Sequence, residues 1–81
     1  MAFEISDDDV LNVVEQVFNT KISFELADKI KNEFLDLRKV NKMAFYGKVL
    51  EQQEIFAYNE LYTQIEDNKS KISLILNINN F

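Results

Sequence analysis

A chain of 81 residues with one glycine and no proline has almost no turn chemistry of its own. Sheet-rich folds reverse direction at glycine and proline, so a chain without them is pushed toward helices joined by short polar connections. The length fits one domain, residues 1–81, and a domain this small has a thin stability margin. Small folds often add a disulfide, a metal or a second chain. With no cysteine and no histidine the first two routes are closed, and burial against a second chain gains weight.

Hydrophobic spacing predicts where the helices fall. Ser6 stands three residues before Asp9, a capping box with Asp in the usual Glu/Gln place. Asp7, Asp8 and Asp9 then occupy a first turn, where the helix dipole favours negative charge. Val10, Leu11, Val13, Val14, Val17 and Phe18 follow in amphipathic rhythm, giving a helix over about 7–19. Ser23 can cap a second helix over about 24–37, with Leu26, Ala27, Ile30, Phe34 and Leu37 facing inward. Val40, Met43 and Ala44 either extend that helix or belong to a short third one, taken as about 40–46. Gly47 suits the left-handed residue that closes a helix and marks the stop.

The longest helix is expected over about 48–67. Leu50, Ala57, Leu61 and Ile65 form one stripe, Ile55, Tyr58 and Tyr62 a second, and Phe56 a third side. Such a wide apolar surface predicts burial on more than one side. After the turn Asp67–Ser70, Ile72, Leu74, Leu76 and Ile78 alternate with mostly polar residues, which predicts a strand over about 71–78. Ile72, Ile75, Leu76 and Asn79 also fit a helical face. The expected fold is therefore mainly α, a three- or four-helix bundle with a short C-terminal β-strand. The only segment of the chain able to pair with such a strand is Ala2–Ile5; otherwise the partner strand comes from another chain.

Chemistry is limited by what is missing. Without histidine or cysteine the common general base and the strongest nucleophile are absent. One glycine cannot build a phosphate-cradling loop, and no calcium-loop spacing accompanies the aspartates. Glu51 with Glu54 reads as a solvated helix face. The sequence therefore predicts no enzyme site, no metal and no cofactor. Fourteen acids against nine bases leave a net charge of −5, the wrong sign for a phosphate-binding surface, so the average charge argues against nucleic acid. The acidic N-terminus lacks a basic and then apolar leader, and no apolar run approaches the roughly 20 residues of a membrane span. The expectation is a cytoplasmic protein with no membrane partner.

Binding is what remains, and three features offer it. Asp7, Asp8 and Asp9 could present carboxylates to a basic protein surface. Tyr46, Tyr58 and Tyr62 are of the type enriched at interface hot spots. Phe56 with Ile72, Leu74 and Leu76 could close a homodimer, the strand pairing across a two-fold axis. An alternative is a small helix-turn-helix-like DNA-binding regulator using Arg38, Lys39 and Lys42, which lie in a stretch from Leu37 to Leu50 that holds no acid.

Ala44-Phe45-Tyr46-Gly47, then Glu51-Gln52-Gln53, then Ala57-Tyr58-Asn59-Glu60-Leu61 resembles a pattern in small phage and prophage accessory proteins, over roughly residues 6–67. Ile55, at a position expected to be polar, and the Ile- and Asn-rich end depart from it. The resemblance implies a mobile-element accessory protein acting in the host cytoplasm by binding and blocking a protein, such as an anti-CRISPR inhibitor of host defence.

Overall fold

The computed structural model describes the backbone of residues 3–80 and the side chains of residues 3–76. Five helices follow in order: α1 Asp7–Phe18, α2 Phe24–Phe34, α3 Leu37–Ala44, α4 Leu50–Asp67 and α5 Lys69–Asn80. No strand occurs among the described residues, so the chain is a helical bundle.

Local chemistry explains most of the boundaries. The capping box at the start of α1 forms in full: Ser6 Oγ accepts from the Asp9 N–H at 3.2 Å, and Asp9 Oδ2 accepts from the Ser6 N–H at 2.9 Å. Asn19 closes α1 in the left-handed conformation, φ 52°, and its N–H bonds Glu15 O. Asparagine tolerates that conformation because its short polar side chain bonds locally. Ser23 caps α2 through the Leu26 N–H at 3.1 Å.

The break between α2 and α3 falls at Leu35 and Asp36, earlier than the spacing of apolar residues suggests. Asp36 is the N-cap of α3, accepting from the Lys39 N–H at 3.2 Å. It is held there from α4: Gln64 Oε1 accepts the Asp36 N–H at 2.7 Å, while Gln64 Nε2 donates to Asp36 O at 3.1 Å. One amide thus supplies the partner of the Asp36 N–H and a second donor to Asp36 O, which also accepts the Val40 N–H at 3.2 Å.

The predicted C-terminal strand is overturned, because residues 69–80 are helical. Ile72 N–H bonds Asn68 O at 2.9 Å and opens α5 directly after α4. Ile72 and Leu76, one turn apart, are buried in the common core, whereas Leu74 is 64% exposed. A strand would put all three on one face; the helical period separates them. Backbone groups that a lone strand would leave unpaired are satisfied within the helix. Ile78 lies outside the described side chains.

A single core joins the helices. Val10, Val13 and Val14 of α1, Ile30 of α2, Val40 and Ala44 of α3, Ala57, Leu61 and Ile65 of α4, and Ile72 and Leu76 of α5 are buried together, with Ile5 of the N-terminal arm. Helix α4 is the central element, packing against α3, α1 and α5. Those neighbours cover Ala57, Leu61 and Ile65 and half-bury Phe56, Tyr58 and Tyr62, whereas Leu50 and Ile55, expected in the same stripes, are exposed. The arm before α1 is pinned by side-chain amides: the Phe3 N–H bonds Gln53 Oε1 at 3.0 Å and the Ile5 N–H bonds Asn41 Oδ1 at 2.9 Å. No helix among the described residues is long and apolar enough to cross a membrane.

Candidate functional site

The acidic head is largely engaged inside the chain. Asp7 bonds Lys31 Nζ at 2.8 Å and so ties α1 to α2; Asp28 completes the cluster at 3.1 Å. These bonds hold the Lys31 ammonium above its ordinary pKa. Glu15 accepts the Ile22 N–H at 3.0 Å. Asp9 closes the capping box and also accepts from the Tyr58 hydroxyl. Of the three aspartates, Asp8 alone is exposed with no bond described to another side chain.

Two of the tyrosines are also committed within the chain. Tyr58 and Tyr62 are half-buried on α4 and lie against the core. The Tyr58 hydroxyl donates to Asp9 and the Tyr62 hydroxyl to Gln16, so both knit α4 to α1. The Phe3 ring lies against Tyr58, centroids 5.9 Å apart. Phe56 is half-buried too. Ile72 and Leu76 are in the chain's own core and cannot at the same time close a dimer, which leaves only Leu74 of that set in solvent.

The Tyr58–Asp9 pair has a pH signature. Burial pulls the Asp9 carboxyl upward, but bonds from the Tyr58 hydroxyl and from the Ser6 N–H and hydroxyl outweigh it and hold it below 3.8. Burial, then the bond to Asp9 and its charge, push the Tyr58 phenol up to about 12. A raised phenol stabilises the fold fully below its ordinary pKa of 10.0, and that stabilisation disappears as pH climbs through about 12. A lowered carboxyl stabilises fully above 3.8, and its share disappears as pH falls through the depressed value. Tyr58→Phe is expected to cost roughly 1.5–3 kcal/mol at neutral pH, the range for a hydrogen bond to a charged group. The gap between wild type and variant in urea unfolding should close as pH is raised from about 9 to about 12. A gap that stays constant would show that the bond contributes nothing to the fold.

Among the described residues Phe24, Ile55 and Leu74 are exposed singly, and the densest run of exposed apolar side chains is the turn between α3 and α4. Phe45 is 72% exposed, Tyr46 63%, Val49 55% and Leu50 62%. Four large apolar side chains within six consecutive residues are thus in solvent. The turn is nonetheless held firmly. Gln52 Oε1 accepts the Lys48 N–H at 2.9 Å, and Gln53 Nε2 donates to Gly47 O at 3.3 Å. Gly47 itself is buried against the first turns of α4. It is not left-handed, since no glycine here has positive φ. Glycine is required because a Cβ would sit 2.5 Å from the backbone N of Gln53 and 2.8 Å from its Cα. The alanine-aromatic-glycine step and the glutamines after it therefore have a structural meaning: two amides and a close backbone approach fix the turn that displays Phe45 and Tyr46.

Bases surround this turn. Arg38, Lys39 and Lys42 on α3 border an open depression together with Asp36, Met43 and Tyr46. Lys39 is drawn toward Glu60 at 3.8 Å. Among the described residues Arg38, Lys42 and Lys48 have no carboxylate within salt-bridge distance. Tyr46 is thus the one proposed contact tyrosine that is mostly exposed, and the structure joins it to the bases considered separately for DNA. Apolar spacing placed Leu50 in the core stripe of α4, which its exposure overturns, and gave Phe45 and Val49 no contact role. Their nearness to the only glycine is the signal that could have found them.

Compared with family models, with curated protein sequences and with solved structures, the chain matches none.

Proposed function

We propose that this chain is a non-enzymatic protein-binding module whose contact surface is the α3–α4 turn. The observation that carries the reading is the exposure of Phe45, Tyr46, Val49 and Leu50 on a turn clamped by Gln52 and Gln53. Large apolar groups exposed close together in the chain are a liability in water, and where they form a patch they mark interaction sites. Rigid presentation lowers the entropy lost on binding. Asp7, Asp9, Tyr58 and Tyr62 bond within the chain and only Asp8 of that set has no side-chain partner described, which favours the turn over the acidic head as the contact surface. A role as a mobile-element inhibitor, such as an anti-CRISPR, rests on the residue pattern from Ala44 to Leu61 alone.

Immobilised wild-type chain and a Phe45→Ser/Leu50→Ser variant, exposed in parallel to lysate of the source cells, test the reading. A protein retained by wild type and lost by the variant, in proportion to input, supports it. Retention of the same proteins by both, or of none by either, rejects it.

A further inference from the structure

Resting on that reading, we infer that the partner segment bound at the α3–α4 turn is acidic as well as apolar, and is not a second copy of this chain. Arg38 and Lys42 stand one helical turn apart on α3 and border one depression with Tyr46, just past the helix end. Asp36 and Lys39 border it too, but Asp36 is turned to the Lys39 N–H as the helix cap and Lys39 toward Glu60. Arg38 and Lys42 are exposed and unpaired among the described residues. In a chain of net charge −5 this is a local inversion of sign. A two-fold contact at the turn would place these bases against their own copies, and like charges across an interface oppose association. A carboxylate-bearing segment meets no such opposition: Arg38 offers a fork to one carboxylate, Lys42 a point charge to another, and the apolar turn takes a large side chain beside them.

A protein segment fits better than a polyanion. Val49 and Leu50 offer nothing to a phosphate backbone, which is held by charge and stacking. The overall negative charge also repels a nucleic acid or an anionic membrane before contact, whereas a short acidic segment carries far less charge to be repelled. The bases thus select sign, and the apolar residues supply the contact area.

The test is a 15N NMR titration of the full chain with two helix-forming probe peptides. They share leucine and phenylalanine positions and differ only in carrying glutamate or lysine at every charged site. The expected result is shift changes confined to residues 37–50, with the glutamate peptide binding at least about tenfold tighter at low salt. Arg38→Glu with Lys42→Glu should reverse that preference while leaving the rest of the spectrum unchanged. Equal binding of the two peptides, or shifts centred on another helix, overturns the inference. So does tighter binding at this site by a single-stranded thymidine oligonucleotide or by vesicles containing phosphatidylglycerol. If neither peptide shifts residues 37–50 while lysate capture still depends on Phe45 and Leu50, the inferred partner chemistry is wrong and the binding surface stands. Failure of capture as well removes both.

Discussion

Gly47→Ala should be among the most damaging single-methyl additions this chain can receive. The added carbon would lie 2.5 Å from Gln53 N and 2.8 Å from Gln52 C and Gln53 Cα. All three are backbone atoms at the start of α4, so no side-chain rotation can relieve the clash. The turn would have to lift off the helix and give up the bonds made by Gln52 and Gln53. Overpacking typically costs about 1–3 kcal/mol, and each lost hydrogen bond adds about 1 kcal/mol. A loss of about 3 kcal/mol or more is expected, against a total of roughly 4–12 kcal/mol for a domain of this length. Urea unfolding would read it as a midpoint shift of a few molar at a slope of about 1 kcal/mol/M. Gly47→Asn separates this explanation from a conformational one. Asparagine is tolerated in the left-handed region, so it would rescue a glycine needed for positive φ. Gly47 is not in that region, and asparagine should be at least as harmful as alanine. A mild Gly47→Asn variant would contradict the steric account.

The second large effect concerns α5. Ile72→Ala is expected to destabilise the chain by about 2–5 kcal/mol, the range for emptying a fully buried aliphatic site, since Ile72 has no exposed surface. Leu76→Ala should follow closely, and Leu74→Ala should stay within about 0.5 kcal/mol because that side chain is in solvent. The contrast between Ile72 and Leu74 is the informative part. Period-two alternation puts Ile72, Leu74 and Leu76 on one face and would make their effects alike. Equal losses at all three positions in chemical denaturation would reinstate the strand and remove α5 from the core.

Features that depend on neighbours in sequence were legible before the structure. The capping box of Ser6 and Asp9 spans three positions and formed as read. The apolar rhythm of α1 placed Val10, Val13 and Val14 in the core, and the central stripe of α4 placed Ala57, Leu61 and Ile65 there, but its first member, Leu50, is exposed. Features set by distant residues were not. Asp36 becomes a helix cap because Gln64, on another helix, completes its backbone bonds. Residues 71–78 satisfied two periods, and only the burial of Ile72 and Leu76 against the other helices decides between them. Gly47 correctly marked a stop, but the cause is a close approach to Gln53 that chain order does not reveal.

The candidate surface shows the same division. Tyrosine hydroxyls need partners when their rings are buried, yet nothing near Tyr58 or Tyr62 in the chain identifies Asp9 and Gln16 as those partners. Both residues therefore read as contact groups when they are ties between helices. Conversely, Phe45, Val49 and Leu50 read as ordinary apolar residues, because a sequence does not distinguish an apolar side chain held in solvent from one in a core.

The claim on which the functional account turns is that the apolar residues of the α3–α4 turn are not part of the fold and are held out for contact. The urea unfolding midpoint of the Phe45→Ser/Leu50→Ser variant tests it without knowledge of any partner. The account predicts a stability within about 0.5 kcal/mol of wild type for each substitution, as for surface positions. A combined loss of several kcal/mol, the size expected for large side chains removed from a packed interior, would show that these residues belong to the core and would contradict it.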